Sequence, residues 1–92
     1  MVAQMRRAAR GVCASIGAAW RRRRSQTHFT DKLGESESEA EETRVWIDLA
    51  SRCRYLTSEQ AQDLGERYDH ICAQLVRMIS ESERWTLRPS GS

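Results

Sequence analysis

From Phe29 to Ala50 the chain reads FTDKLGESESEAEETRVWIDLA. Phe29, Leu33, Ser36, Ala40, Thr43, Ile47 and Ala50 recur in this stretch at alternating spacings of four and three, which puts all seven on one face of an α-helix. A strand would alternate every second residue instead, so this row fixes the fold class as all-α. The helix is entered through the polar segment Ser25 to Thr30, which holds candidate caps, and is expected to run to about Tyr55. Its first half is acidic, with Asp31, Glu35, Glu37, Glu39, Glu41 and Glu42. In its second half Val45, Trp46, Ile47, Leu49, Ala50 and Cys53 are apolar nearly all the way round, and a helix apolar on every side must be covered on every side. Two neighbours in the same chain do not supply that cover, so Trp46, Leu49 and Cys53 are expected to form a surface for an oligomeric partner.

Upstream, Met5, Ala8, Ala9, Val12, Cys13, Ile16, Ala19 and Trp20 fall on one helical face, while Arg6, Arg7, Arg10 and Arg21 fall on the other. Gly11 and Gly17 each cost this helix about 1 kcal/mol relative to Ala, so tertiary packing must hold it. Downstream, Thr57 and Gln60 have the spacing of a capping box, and Ala61, Leu64, Tyr68, Ile71, Leu75 and Met78 continue as an unbroken seam of threes and fours. Such a seam favours near-parallel packing at about 20°. The expectation is a single domain over residues 1–87: an up-down antiparallel bundle of three helices at about 3–23, 27–55 and 58–86. The run Arg88-Pro89-Ser90-Gly91-Ser92 has no period and reads as a flexible tail.

The chain has 92 residues and a mass of 10.6 kDa, room for one small domain, which excludes a two-domain enzyme. A domain of this size buries only about two-thirds of the surface its unfolded chain exposes, so self-association is expected. The net charge of +2 conceals a division: residues 1–24 hold seven Arg and no acid, for +7, and the other 68 residues carry −5. The longest uncharged stretch, Gly11 to Trp20, is ten residues, half the ~20 a membrane-spanning helix needs, so no membrane partner is expected. Arg21 to Arg24 stand where a secretory cleavage site would lie, although an acid-free, Arg-rich start has the composition of a mitochondrial leader. Cys13, Cys53 and Cys72 are an odd number without Cys-x-x-Cys spacing, which points to reduced thiols in a cytoplasm and to neither a disulfide framework nor a zinc site.

Catalytic residues do not emerge. His70 and Cys72 are two apart on a helix and point to different faces, so they form no nucleophile and base pair. His28, near a helix start, reads as a loop or cap residue. Glu39 and Glu42 lie off the Phe29 to Ile47 row and lack the Glu-x-x-His partners of carboxylate-bridged metal bundles, so neither metal nor cofactor is expected. Arg6, Arg7, Arg10, Arg21, Arg22, Arg23 and Arg24 suit phosphate contact, and Trp20 beside them could stack on a base, with core packing as its plainer role. The competing reading pairs these arginines internally with Asp31, Glu35 and Glu39.

Gln4-Met5-Arg6-Arg7-Ala8-Ala9-Arg10, then Val12 and Ser15-Ile16-Gly17-Ala18, resemble the Gln-x-Arg-Arg-Ala segment of the bacterial four-helix bundle proteins known as 23S rRNA intervening-sequence proteins. Ser25, Phe29, Lys32-Leu33, Glu39-Ala40, Glu42-Thr43 and Trp46-Ile47 are similar to that family's Ser, Phe, Lys-Leu, Glu-Ala, Glu-Thr and Trp-Leu positions. Leu56-Thr57 and the seam from Leu64 to Met78 extend the likeness to about residues 4–82. The resemblance implies an up-down bundle assembling into a ring-like or smaller homo-oligomer without demonstrated activity. A related branch, the accessory variability determinant of diversity-generating retroelements, partners a reverse transcriptase and nucleic acid, which implies RNA, DNA or such a protein as partners here. Two departures stand out. The family usually has another helix before the Gln-x-Arg-Arg-Ala segment, whereas this sequence begins almost at that segment; either that helix is absent or the start is truncated, and in both cases the groove it would fill is expected to be exposed or occupied by a neighbour. Ala18-Ala19-Trp20 also replaces a commonly polar position. The function expected is that of a non-enzymatic, homo-oligomeric scaffold with an Arg-rich face for RNA or DNA; the alternative is a purely structural or degenerate bundle.

Overall fold

The computed structural model describes residues 2–86 and consists of α1 (Val2–Arg21), α2 (Gln26–Arg52), α3 (Ser58–Ser80) and a final 3-10 turn, η1 (Ser82–Arg84). The expected tail at 88–92 lies outside the described residues. No strand occurs among them, in agreement with the all-α reading. Each connection has a chemical cause. Ser25 caps α2 by accepting a hydrogen bond from the His28 amide (3.3 Å). Thr57 and Gln60 close a reciprocal capping box on α3, with both bonds at 3.0 Å.

Two helix ends correct the sequence reading. The second helix stops at Arg52 instead of about Tyr55, because Arg54 turns left-handed (φ 62°) and the Tyr55 and Arg54 amides reach back to the Ala50 and Ser51 carbonyls. Glycine normally takes that position, and no local signal marks an Arg there. Replacing Arg54 with Gly is therefore expected to stabilise the fold by about 1 kcal/mol, seen as a rise of several degrees in a thermal melt. The third helix ends at Ser80, and residues 82–84 form η1 where a continuous helix to about 86 was expected. Ser82 is buried there and its hydroxyl accepts from Gln26 Nε2 (2.8 Å), which ties the end of α3 to the start of α2.

α2 is the centre of the molecule. Its buried residues are Phe29, Leu33, Ser36, Ala40, Thr43, Ile47 and Ala50, the same seven that the periodicity selects. α1 packs antiparallel along it, in a register set by Ser36 Oγ donating to the Val12 carbonyl (3.0 Å). In that register Ala8 lies level with Ala40 and Ala19 with Phe29, so small side chains let the two backbones come close. Gly11 belongs to the same approach, since a Cβ there would stand 2.9 Å from the Glu39 carboxyl group. α3 packs antiparallel against α2, bringing Cys72 and Leu75 into the core and joining Arg44 to Asp69 at 2.8 Å.

α1 and α3 both flank α2 without packing extensively on each other. The dimensions, 56 × 21 × 12 Å, and the radius of gyration of 15.3 Å describe an open arrangement, since a compact chain of this length would have about 12 Å. Between the outer helices runs a shallow apolar groove of about 180 Å³ lined by Met5, Arg6, Ala9, Thr43, Ile47, Leu64 and Tyr68. This openness corrects the expected buried face of α1. Ala8, Val12 and Ala19 are buried, but Cys13, Ile16 and Trp20 are exposed, the last by 50%. With α2 as its main neighbour, α1 buries a narrower arc than a closed bundle would, and its Met5, Ala9, Cys13, Ile16 and Trp20 row is left along the open side. Tyr68 spans the groove toward Thr43 and Cys13, and its phenol titrates above its usual value because of burial, with Cys13 adding to the rise.

Candidate nucleic-acid interface

α1 is the only long stretch of the chain with basic residues and no acid, and its fold sorts them by position. Arg6, Arg7 and Arg10 are exposed near its start, and Arg10 Nε donates to the Arg6 carbonyl (3.4 Å). Arg21 to Arg24 form its last turn and the link to α2. Arg10 and Arg21 are eleven residues apart, about 16 Å along the axis, so the seven arginines make two groups on the outer side of α1 and not one continuous patch. Arg21, Arg22 and Arg24 are exposed and Arg23 is half-buried.

The ion pairs among the described residues involve other groups. Lys32 pairs with Glu35, Arg44 with Glu41 and Asp69, Arg52 with Asp48, Arg67 with Asp63 and Arg84 with Glu81, at 2.8 to 3.3 Å. Most are one helical turn apart, the spacing at which opposite charges on a helix surface meet at least entropic cost. Of the acids in the competing reading, Glu35 is taken by Lys32, Glu39 lies against Gly11, and Asp31 and Glu35 share only the walls of a surface hollow with Arg22. The internal pairing of the seven arginines with Asp31, Glu35 and Glu39 is thus not formed. Their positive charge is carried on the surface, where solvent screening leaves it free to meet a polyanion.

Arg23 is the exception in geometry. Its guanidinium lies 4.2 Å from the centre of the Trp20 ring and donates to the Trp20 carbonyl at 2.8 Å. A cation over an indole face is the contact that a stacked base would replace. The sequence places Trp20 on the apolar face, but α1 ends just beyond it and the residue is left 50% exposed.

The oligomer residues sit on the far part of α2. Trp46 is half-buried, with its indole N–H toward Glu42 Oε1 (3.5 Å), Leu49 is 37% exposed and Cys53 is exposed. Val45 joins them at 57% exposure, which the all-round apolar pattern already signalled. Between α2 and α3, Arg44 holds Asp69 and Glu41 and stands beside Cys72, whose thiol is pushed above its usual range by burial and by Glu41. The Arg44 to Asp69 link escaped the sequence reading, since only the register between the two helices brings the residues together. His28 is exposed in the first turn of α2 and His70 is exposed at the middle of α3. Among the described residues no three His, Cys, Asp or Glu side chains gather as metal ligands, and no helix is long and apolar enough to cross a membrane.

Residues 1–77 match the model of the 23S rRNA-intervening sequence protein family. The chain belongs to this family. The match takes in α1, α2 and α3 as far as Arg77, so within the intervening-sequence family region lie both arginine groups and the groove, whereas η1 and Trp85 come after it. No curated protein and no solved structure matches the chain.

Proposed function

We propose that this intervening-sequence family protein is a non-enzymatic cytoplasmic scaffold that assembles with copies of itself and offers its arginines to RNA or DNA. The observation that carries the nucleic-acid part is where the ion pairs fall: Glu35, Glu41, Asp48, Asp63, Asp69 and Glu81 pair with cations of α2, α3 and η1, while among the described residues Arg6, Arg7, Arg10 and Arg21 to Arg24 form no ion pair. Arg is the cation best suited to phosphate oxygens, because its planar fork donates two parallel bonds. The assembly part is supported by the uncovered apolar groove between α1 and α3 and by the exposed Val45, Leu49 and Cys53 row of α2. Apolar surface on both sides of so small a core favours burial against another copy.

The test is a salt titration of binding to a generic RNA. Each phosphate neutralised steepens the fall in log K by roughly 0.7 per log unit of salt on a single strand and 0.9 on duplex DNA, so four arginines acting together give a slope of about −3 to −4. Replacing Arg21 to Arg24 with Gln is expected to flatten that slope by the same amount. Absence of binding at low salt, or a slope near zero, contradicts the nucleic-acid reading and leaves the purely structural one.

A further inference from the structure

We infer that the end of the molecule where α1 finishes and α3 ends is a binding site for single-stranded nucleic acid, with Trp20 and Trp85 as stacking platforms and Arg21 to Arg24 as the phosphate track. This rests on the nucleic-acid reading above and narrows it to unpaired strands and to one end of the fold. The antiparallel course of the helices brings the two tryptophans to that end. Gln26, the first residue of α2, is bonded through Nε2 to Ser82 (2.8 Å), and the Trp85 amide bonds back to the Ser82 carbonyl (3.0 Å). Trp20 is six residues before Gln26, on the last turn of α1. Both indoles are open to solvent, Trp20 by 50% and Trp85 by 43%.

The surroundings of these rings select a nucleic acid over a protein. Arg21, Arg22, Arg23 and Arg24 adjoin Trp20, and Arg84 adjoins Trp85. Glu81 is occupied by Arg84 (3.3 Å), and among the described residues Glu83 of η1 forms no ion pair. A second copy meeting this end through its own equivalent surface would set like charges together while desolvating them, which opposes association. A polyanion meets no such penalty. Base faces stack on indoles without regard to sequence, and the Arg23 guanidinium over Trp20 shows the ring face already receiving a flat, cationic group at 4.2 Å. A duplex keeps its base faces covered by their neighbours, so it can use the arginines but not the rings.

Fluorescence anisotropy of the full chain with a labelled oligouridylate of about twelve nucleotides, and with an RNA duplex of the same length, tests this. Wild type is expected to prefer the single strand. Trp20→Leu and Trp85→Leu each keep an apolar side chain but remove the stacking face, and each is expected to weaken single-strand binding about 5- to 150-fold while leaving duplex binding unchanged. Trp20→Phe, which keeps a ring, is expected to retain most of the affinity, and circular dichroism verifies that the variants are folded. Equal losses on both nucleic acids, or no loss on either, overturn the single-strand site while the wider nucleic-acid reading stands. Unchanged oligonucleotide binding together with a lower assembly mass in light scattering overturns it in favour of a contact between copies. If wild type binds neither probe at low salt, both the site and the wider reading fall.

Discussion

A chain lacking residues 1–24 is expected to be unfolded, with most of its helical circular dichroism lost and no cooperative melt. α1 forms one of the two walls that cover the buried row of α2. Without it, Val12 and Ala19 leave the core shared with Phe29, Leu33 and Ala40, and the Ser36 hydroxyl loses the carbonyl to which it donates. What remains is α2 against α3, whose fully buried residues are Cys72 and Leu75, with Tyr68, Ile71, Met78 and Ile79 partly buried beside them. Two helices with so small a common core do not offset the conformational entropy of ordering them, since helices of this length are marginal without tertiary packing. A removable leader would behave in the opposite way, leaving residues 25–92 folded. A cooperative melt of the shortened chain would show that the bundle does not depend on α1.

The largest effect of a single substitution is expected at Phe29. The ring is 1% exposed and is the bulkiest of the fully buried side chains. Cutting it to Ala removes its transfer free energy and leaves a cavity lined by Leu33 and its neighbours, a loss of about 3–5 kcal/mol. Domains are stable by only about 5–15 kcal/mol, and each kcal/mol moves the melting temperature of a domain this size by roughly 4–8 °C. Phe29→Ala should therefore melt some 15 to 35 °C below wild type. Val76→Ala, at a site 50% exposed on α3, is expected to change stability by less than about 0.5 kcal/mol. Comparable melts for Phe29→Ala and wild type would place the core elsewhere.

The reasons behind these two effects were legible in the sequence to different degrees. The α2 row is readable because position, not polarity, determines what a helix buries. Ser36 and Thr43 fall on the period and are buried, each satisfying its hydroxyl on a carbonyl, of Val12 and of Glu39. The α1 face is readable only in part. Periodicity identifies an apolar arc but not how many neighbours will cover it, so Ala8, Val12 and Ala19 are buried while Cys13, Ile16 and Trp20 are left at the open side. The end of α2 was hidden because a left-handed Arg54 carries no compositional mark. At the arginine site the sequence supplies the charges and the adjacent Trp20. It also implies, through helical rise, the roughly 16 Å between Arg10 and Arg21 along α1, but not the return of α3 that brings Trp85 to the same end. The internal pairs with Asp31, Glu35 and Glu39 do not form because a closer partner, Lys32, takes Glu35, while Glu39 lies against Gly11, which has no charge to offer, and Asp31 shares only the walls of a hollow with Arg22.

Surface left uncovered by α1, α2 and α3 is expected to be covered by other copies of the chain. Molar mass in solution tests this directly, measured by multi-angle light scattering from low micromolar concentration upward on protein shown to be folded. The expected result is a discrete multiple of 10.6 kDa that persists on dilution, lowered when Val45 and Leu49 are both replaced by Glu. A cooperatively folded species of 10.6 kDa across the whole range, its groove and α2 row open to water, would contradict it.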